Sequence, residues 1–319
     1  MARLVIHIGT HKTGTTFLQH KLAEARPWLR ERGFVYPDFG STAHHLLVAH
    51  WVGLKHELAS RPDPVAVWKA LAADHVGSDR TIVVSSEEFS RATVNRPDFR
   101  AIRAWFDGFE SVRLICYIRD QLSYLQSIYT EVSKVRNPGG PGAMVDEAIG
   151  TGMFTGVAVG YNLLADILAA QMPLGDVTFC NYQDACGADG GLLGHFLRQL
   201  GLEGEPPATP VQRQNESRAA VEVWIANTIS APAVAPAALI EQVAQVLAQQ
   251  FPALRGGTIF TPDEIARLQK RFEPANRYFE TRVQPSSPGF RIPHLQGFAG
   301  RPARDAIGPE VWDAVKAAL

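Results

Sequence analysis

Arg3-Leu-Val-Ile-His-Ile8 is a short, β-rich apolar run that stops at Gly9. Behind a loop from Gly9 to Thr16, the stretch from Phe17 to Arg32 has helical periodicity. Phe17, Leu18, Leu22, Ala25 and Leu29 can share one face of it. A strand, a glycine-containing loop and a helix, in that order, make the first unit of a parallel sheet.

Thr81-Ile-Val-Val-Ser85, Ser111-Val-Arg-Leu-Ile-Cys-Tyr-Ile118 and Asp176-Val-Thr-Phe-Cys180 read as three more buried strands. Helical patterns occupy about 43–60 and a stretch from Pro64, where proline suits a first turn. Others run from Asp120 to about Val135 and over about 191–200, 217–229, 235–250 and 261–279. Apolar strands alternating with helices predict an α/β fold: a largely parallel sheet flanked by helices, with a helix-rich C-terminal part. Ligands of such sheets sit beyond the carboxyl ends of the strands. The loop from Gly9, Ser86–Glu88 and Arg119-Asp120 each follow a strand, so they are expected to meet at one edge. Asn137-Pro-Gly-Gly-Pro-Gly142 opens a loop, to about Gly156, that can act as a lid, and the stretch from Gln284 to Arg304 reads as a second loop. The best hinge candidate lies between Gly204 and Pro210, but 1–319 reads as a single domain.

Lys and Arg total 31 against 32 Asp and Glu, a net charge of -1. That balance argues against a dedicated nucleic-acid binder and offers no attraction to an anionic membrane. Three cysteines support neither a disulfide framework nor a cysteine-rich zinc site, and Cys116 and Cys180 fall in strands as small core residues. No run approaches the ~20 apolar residues of a spanning helix, and the N-terminal run is too short for a signal peptide. The chain therefore reads as soluble and cytoplasmic.

The loop Gly9-Thr-His-Lys-Thr-Gly-Thr-Thr16 carries the most chemistry. Backbone N–H groups at a helix start, with the macrodipole behind them, attract an anion. Gly14 permits close backbone approach, Thr15 and Thr16 add hydroxyl donors, and Lys12 adds a mobile positive charge. The bland alternative is a threonine-capped turn with an incidental lysine. A Walker A loop would have its lysine directly after the second glycine; here Thr15 stands there, which disfavours a P-loop small-molecule kinase. A nucleotide-binding regulator without turnover is the third reading.

Lys12-Thr13-Gly14-Thr15-Thr16 resembles the 5′-phosphosulfate loop of the sulfotransferases that use 3′-phosphoadenosine 5′-phosphosulfate (PAPS). The resemblance implies that Lys12 meets the oxygen bridging sulfur and phosphorus, and that the groups from Thr13 to Thr16 hold the 5′-phosphate. The family also carries a strand-end Arg and, eight residues on, a helical Ser for the 3′-phosphate. Arg119 and Ser127 have that spacing, with Gln121 where the family often has proline and Tyr129 in the family's place for tyrosine. Independently, Arg119 can grip a phosphate with two donors. Ser127 lies two turns along the helix, although Ser123 can substitute, and Arg119 can instead pair with Asp120. Phe179-Cys-Asn-Tyr-Gln-Asp184 resembles a segment whose tyrosine helps place adenine, which implies that role for Tyr182; a packed aromatic is the alternative. Asn215-Glu-Ser217 looks like a feature of bacterial carbohydrate-type sulfotransferases. No Arg-Lys-Gly cofactor loop is evident, and Arg291, Arg301 and Arg304 are candidate replacements.

Transfer to a hydroxyl requires removal of the acceptor proton. The family places its base at the end of the second strand, where Glu87 is the first candidate and Glu88 the second. Their alternative role is capping a helix N-terminus, and either would need burial or hydrogen bonding to tune it as a base. His45 and its neighbour His44 are rival bases. His11 is expected to shape the loop and His7 to be structural. The resemblance implies a P-loop-NTPase-like parallel sheet flanked by helices, PAPS as donor, adenosine 3′,5′-bisphosphate (PAP) as product, a small-molecule or glycan acceptor, and no metal.

Overall fold

The computed structural model describes residues 1–53, 62–207, 218–292, 295, 298 and 300–319. The chain forms two compact units. The first comprises Met1–Arg119, Thr155–Pro210 and Asn276–Ile292, and the second the remaining segments.

The first unit is built on a five-stranded sheet. Its strands are β1 (Arg3–His7), β2 (Phe34–Val35), β3 (Thr81–Ser85), β4 (Ser111–Ile118) and β7 (Val177–Asn181), in the order β2-β3-β1-β4-β7. Every pairing is parallel. The two-residue strands β5 (Met153–Phe154) and β6 (Val157–Ala158) stand outside this sheet. β1 and β3 are buried along nearly their whole length, as strands covered on both faces must be.

β1 lies centrally, with His7 opposite Ser85 of β3 and Ile115 of β4. The ladder to β4 continues past His7: Ile8 N–H donates to the Ile115 carbonyl at 2.9 Å and Thr10 N–H to the Tyr117 carbonyl at 3.1 Å. The root of the glycine loop is thereby fixed to the strand that leads into Arg119. At the far edge, Phe179 N–H of β7 donates to Ser287 Oγ at 2.7 Å, and the Asn181 side chain donates to the Arg291 carbonyl at 2.8 Å.

The expected helix from Phe17 to Arg32 divides into α1 (Thr15–Glu24) and a second helix, Arg26–Glu31, which meet at Ala25. Pro27 occupies the first turn of the second, where its missing N–H costs no intrahelical bond. Leu18, Leu22, Ala25 and Leu29 are buried as expected, but Phe17 is 38% exposed. The face turns inward one residue later than the pattern implied. Leu18 and Leu22 pack with Val5, Tyr117 and Phe196 in one cluster.

Other boundaries differ locally. The region expected to be helical from 43 to 60 holds a 3₁₀ turn, His45–Val48, and one α-turn, Ala49–Val52; residues 54–61 lie outside the described residues. The segment read as a loop from Asn137 to Gly156 contains an 11-residue helix, Pro141–Thr151, with proline in its first turn. The helix Tyr161–Ala169 has buried Tyr161, Leu164, Ala165 and Leu168 at helical spacing, but its nine residues gave too short a pattern. Asn215-Glu-Ser217 falls outside the described residues.

The second unit is helical. Val221 and Ile225 of the helix Ala220–Ser230 pack with Val243 and Leu247 of Ala237–Gln250 and with Val311 and Val315 of Pro309–Ala317. No described helix is long and apolar enough to cross a membrane.

Leu22 is fully buried between α1 and the sheet. Leu22→Ala should lower stability by about 2–5 kcal/mol, measured as a fall in the urea midpoint; an unchanged midpoint would contradict this packing.

Candidate active site

The site begins where β1 ends. Thr10 is held twice by Tyr117, through its N–H and through its hydroxyl at 3.0 Å. The buried Thr13 hydroxyl donates to the Thr10 carbonyl at 2.6 Å, which turns the loop back on itself. Thr13 thus braces the loop with its hydroxyl proton, so toward a bound anion it has its N–H to offer. Lys12 and Gly14 both have left-handed backbones, φ 64° and 71°. Gly14 caps α1, and Thr15 and Thr16 open the helix, Thr15 buried and Thr16 exposed. A Cβ on Gly14 would stand 2.5 Å from Leu192 Cδ2 and 3.2 Å from Tyr182 Cε2. Glycine is therefore required by both conformation and space.

Arg119 follows β4 directly. Its Nη1 donates to the Lys12 carbonyl at 3.2 Å, and its guanidinium carbon lies 5.5 Å from the centre of the Tyr182 ring. The Tyr161 hydroxyl donates to the Arg119 carbonyl. Tyr182 opens the helix Tyr182–Gly187 behind β7, and burial pushes its hydroxyl up to about 12. Lys12, Gly14, Arg119 and Tyr182, which come from three distant stretches of chain, thus form one cluster. Ser127 lies on the helix Gln121–Val132 in the second unit, where its carbonyl accepts from the Thr130 hydroxyl at 2.9 Å. Asp120 accepts from Ser123 N–H at 2.9 Å as the cap of that helix.

The two glutamates after β3 have different surroundings. Glu88 is nearly buried, and Arg91 donates to both its oxygens, at 2.6 and 3.1 Å. Burial alone would raise the Glu88 carboxyl. The Arg91 hydrogen bonds and the charges of His11, Arg91 and His45 outweigh it and hold the group below the usual carboxylate range. A carboxylate so stabilised is a poor base. Glu87 instead accepts from Gln19 Nε2 of α1 at 3.0 Å, a neutral partner that orients it without neutralising it. The capping role falls to Ser86, whose hydroxyl accepts from Glu88 N–H at 3.2 Å.

The histidines divide in the same way. His44 is buried; its Nδ1 accepts from Ser85 N–H at 3.1 Å, so its Nε2–H donates to the Pro37 carbonyl at 3.1 Å. Both nitrogens are committed, which removes His44 as a base. His45 Nδ1 lies 2.8 Å from Ser86 Oγ beside Glu87. His7 Nδ1 lies 2.8 Å from Ser85 Oγ, deep beneath the loop. Arg304, a candidate for the cofactor loop, pairs with Glu264 at 2.7 Å and lies over Trp224, so its charge is already matched within the second unit. Sequence reasoning missed Gln19, Arg91 and the exposed ring of Phe17. Arg91 was the most accessible of these, because residues three apart superimpose on a 3₁₀ turn. Among the described residues no group of His, Cys, Asp or Glu is placed to hold a metal ion.

No family model and no curated protein matches the chain. Solved structures do. A sulfotransferase from Alicyclobacillus acidocaldarius aligns over 88% of this chain and 95% of its own, with a TM-score of 0.50 and 12% identity. The chain has a sulfotransferase fold. The sulfotransferase domain of the Synechococcus PCC 7002 olefin synthase aligns over 79% of this chain and 96% of its own, at a TM-score of 0.40 and 16% identity. The sulfotransferase domain of the curacin biosynthetic pathway aligns over 65% and 76%, at 0.33 and 14%.

Burial pushes His7 and His44 from the ordinary 6.5 down to about 4. The unfolded chain therefore takes up protons below pH 6.5 that the folded chain refuses until about pH 4. Each histidine should cost about 3 kcal/mol of stability across that window. Urea unfolding should show stability falling from pH 7 to pH 4.5, with a shallower slope in His44→Asn; a flat profile would contradict the burial.

Proposed function

We propose that this chain is a PAPS-dependent sulfotransferase that moves a sulfuryl group to a hydroxyl of a carbohydrate or another small acceptor, releasing PAP. The observation that carries the reading is the Lys12–Arg119–Tyr182 cluster. The residues matching the phosphosulfate loop, the 3′-phosphate arginine and the adenine tyrosine are far apart in sequence and adjacent in space. The left-handed Gly14 at the start of α1 and the exposed Thr16 beside it fit an anion held at a helix start.

When bound, PAPS supplies the activated sulfuryl group and a leaving phosphate. Lys12 places a positive charge where negative charge develops on the departing oxygen, a preorganised electrostatic role. The N–H groups from Thr13 to Thr16 and the Thr16 hydroxyl hold the 5′-phosphate, and Arg119 holds the 3′-phosphate; Ser127 is assigned to the 3′-phosphate by the family's spacing alone. Tyr182 offers aromatic surface to the base. Glu87, oriented by Gln19, takes the acceptor proton. The pairing with Arg91 makes Glu88 the weaker base, and His45 is the other rival. The carbohydrate preference rests on the Asn215-Glu-Ser217 resemblance alone.

The test is calorimetric titration with PAP beside ATP with magnesium. Wild type should bind PAP tightly and Mg-ATP weakly, and Arg119→Ala should lose PAP. Preferential Mg-ATP binding would replace this reading with a kinase, and PAP binding without transfer to any of a wide acceptor panel would indicate a regulator. With a competent acceptor, Lys12→Ala should lower kcat by roughly 100- to 1000-fold and Glu87→Gln by at least about 100-fold, both with unchanged circular dichroism. Wild-type rates would remove either residue from the mechanism.

A further inference from the structure

Among the described residues, only Lys12 and Thr155 combine a side chain with a left-handed backbone, at φ 64° and 51°. Such conformations persist where neighbours impose them, and they concentrate at functional sites. One group of side chains reaches both. Arg91 holds both oxygens of Glu88, and its Nη1 also donates to the Thr155 carbonyl at 3.4 Å. The backbone reinforces this tie: Ala92 N–H donates to the Gly156 carbonyl at 3.1 Å, and Arg91 and Val157 form an antiparallel bridge. On the other side, Glu88 Oε1 lies 3.8 Å from Nε2 of His11, the residue before Lys12. That nitrogen is buried and has no hydrogen-bond partner among the described residues, so Glu88 is the acid it faces.

Lys12 therefore has a partner on one flank and a facing carboxylate on the other. Arg119 holds the Lys12 carbonyl, and Glu88 faces the preceding histidine. A two-point arginine–carboxylate pair fixes direction as well as distance, so Arg91 aims Glu88 at His11 and anchors it to the Thr155 turn.

We propose that Arg91 and Glu88 form a clamp that acts through His11 to hold the phosphate loop in the conformation presenting Lys12. Glu88 is then a positioning residue, and the Thr155 turn is the second anchor of the clamp. What Lys12 does in that position rests on the sulfotransferase reading; the clamp itself belongs to the ligand-free chain and is tested there first.

The experiment compares Glu88→Gln, Arg91→Met and Arg91→Lys. In the ligand-free protein, the His11 titration is followed by NMR with labelled histidine, assigned with His11→Gln. Removing the carboxylate should move the His11 midpoint down, and removing the guanidinium should move it up. Simple loosening of the loop would instead carry both variants toward the ordinary histidine value. In turnover with PAPS, Glu88→Gln and Arg91→Met should lower kcat roughly 10- to 100-fold, with KM for PAPS changed no more than about twofold, and Arg91→Lys should recover part of the loss. A His11 midpoint unmoved by either variant, or moved the same way by both, would overturn the clamp. So would opposite shifts with an unchanged kcat. If wild type transfers to no acceptor but the opposite shifts appear, the sulfotransferase reading falls and the clamp stands.

Discussion

The central strand β1 pairs in parallel with β3 on one side and β4 on the other, and the rest of the site depends on that register. Setting His7 level with Ser85 brings the Ser86–Glu88 turn beside the glycine loop. Extending the β4 ladder through Ile8 and Thr10 brings Arg119 within reach of the Lys12 carbonyl. A slip of one residue would turn β1 over, sending His7 to the opposite face of the sheet and separating these pairs. Backbone pairing, rather than any side chain, decides which chemical groups meet.

The buried polar groups beneath the loop give the site its division of labour. His44 and Glu88 are fully engaged, one by backbone groups and the other by Arg91. Among the described residues, Glu87 and His45 meet neutral side chains, Gln19 and Ser86. Adjacent residues in sequence thus take opposite parts, because neighbouring side chains on the turn face different surroundings.

Much of this was legible in the sequence, for local reasons. Strands buried on both faces announce themselves as continuous apolar runs, and β3 and β4 fall at Thr81–Ser85 and Ser111–Ile118, where those runs lie. The loop was legible because glycine, threonine and lysine crowd into eight residues. The choice between Glu87 and Glu88 was not, since it depends on Gln19, 68 positions away, and on Arg91. The commitment of His44 was hidden for a different reason: its partners are the backbone groups of Pro37 and Ser85, which carry no side-chain signature. Gly14 was read as making room for a ligand, whereas the structure shows it also makes room for Leu192 and Tyr182. Sequence alone does not say which helix will pack above a loop.

The Ser287 hydroxyl on β7 has a consequence for the chain among its neighbours. A parallel sheet ends in a strand whose outward N–H and C=O groups can recruit a strand from another molecule. Here the N–H at the middle residue of that strand, Phe179, is already taken by Ser287, and the Asn181 side chain ties down the Arg291 carbonyl just beyond. An incoming strand would have to break both bonds and lift the segment that carries them. The same two contacts that finish the sheet protect this edge from edge-to-edge aggregation.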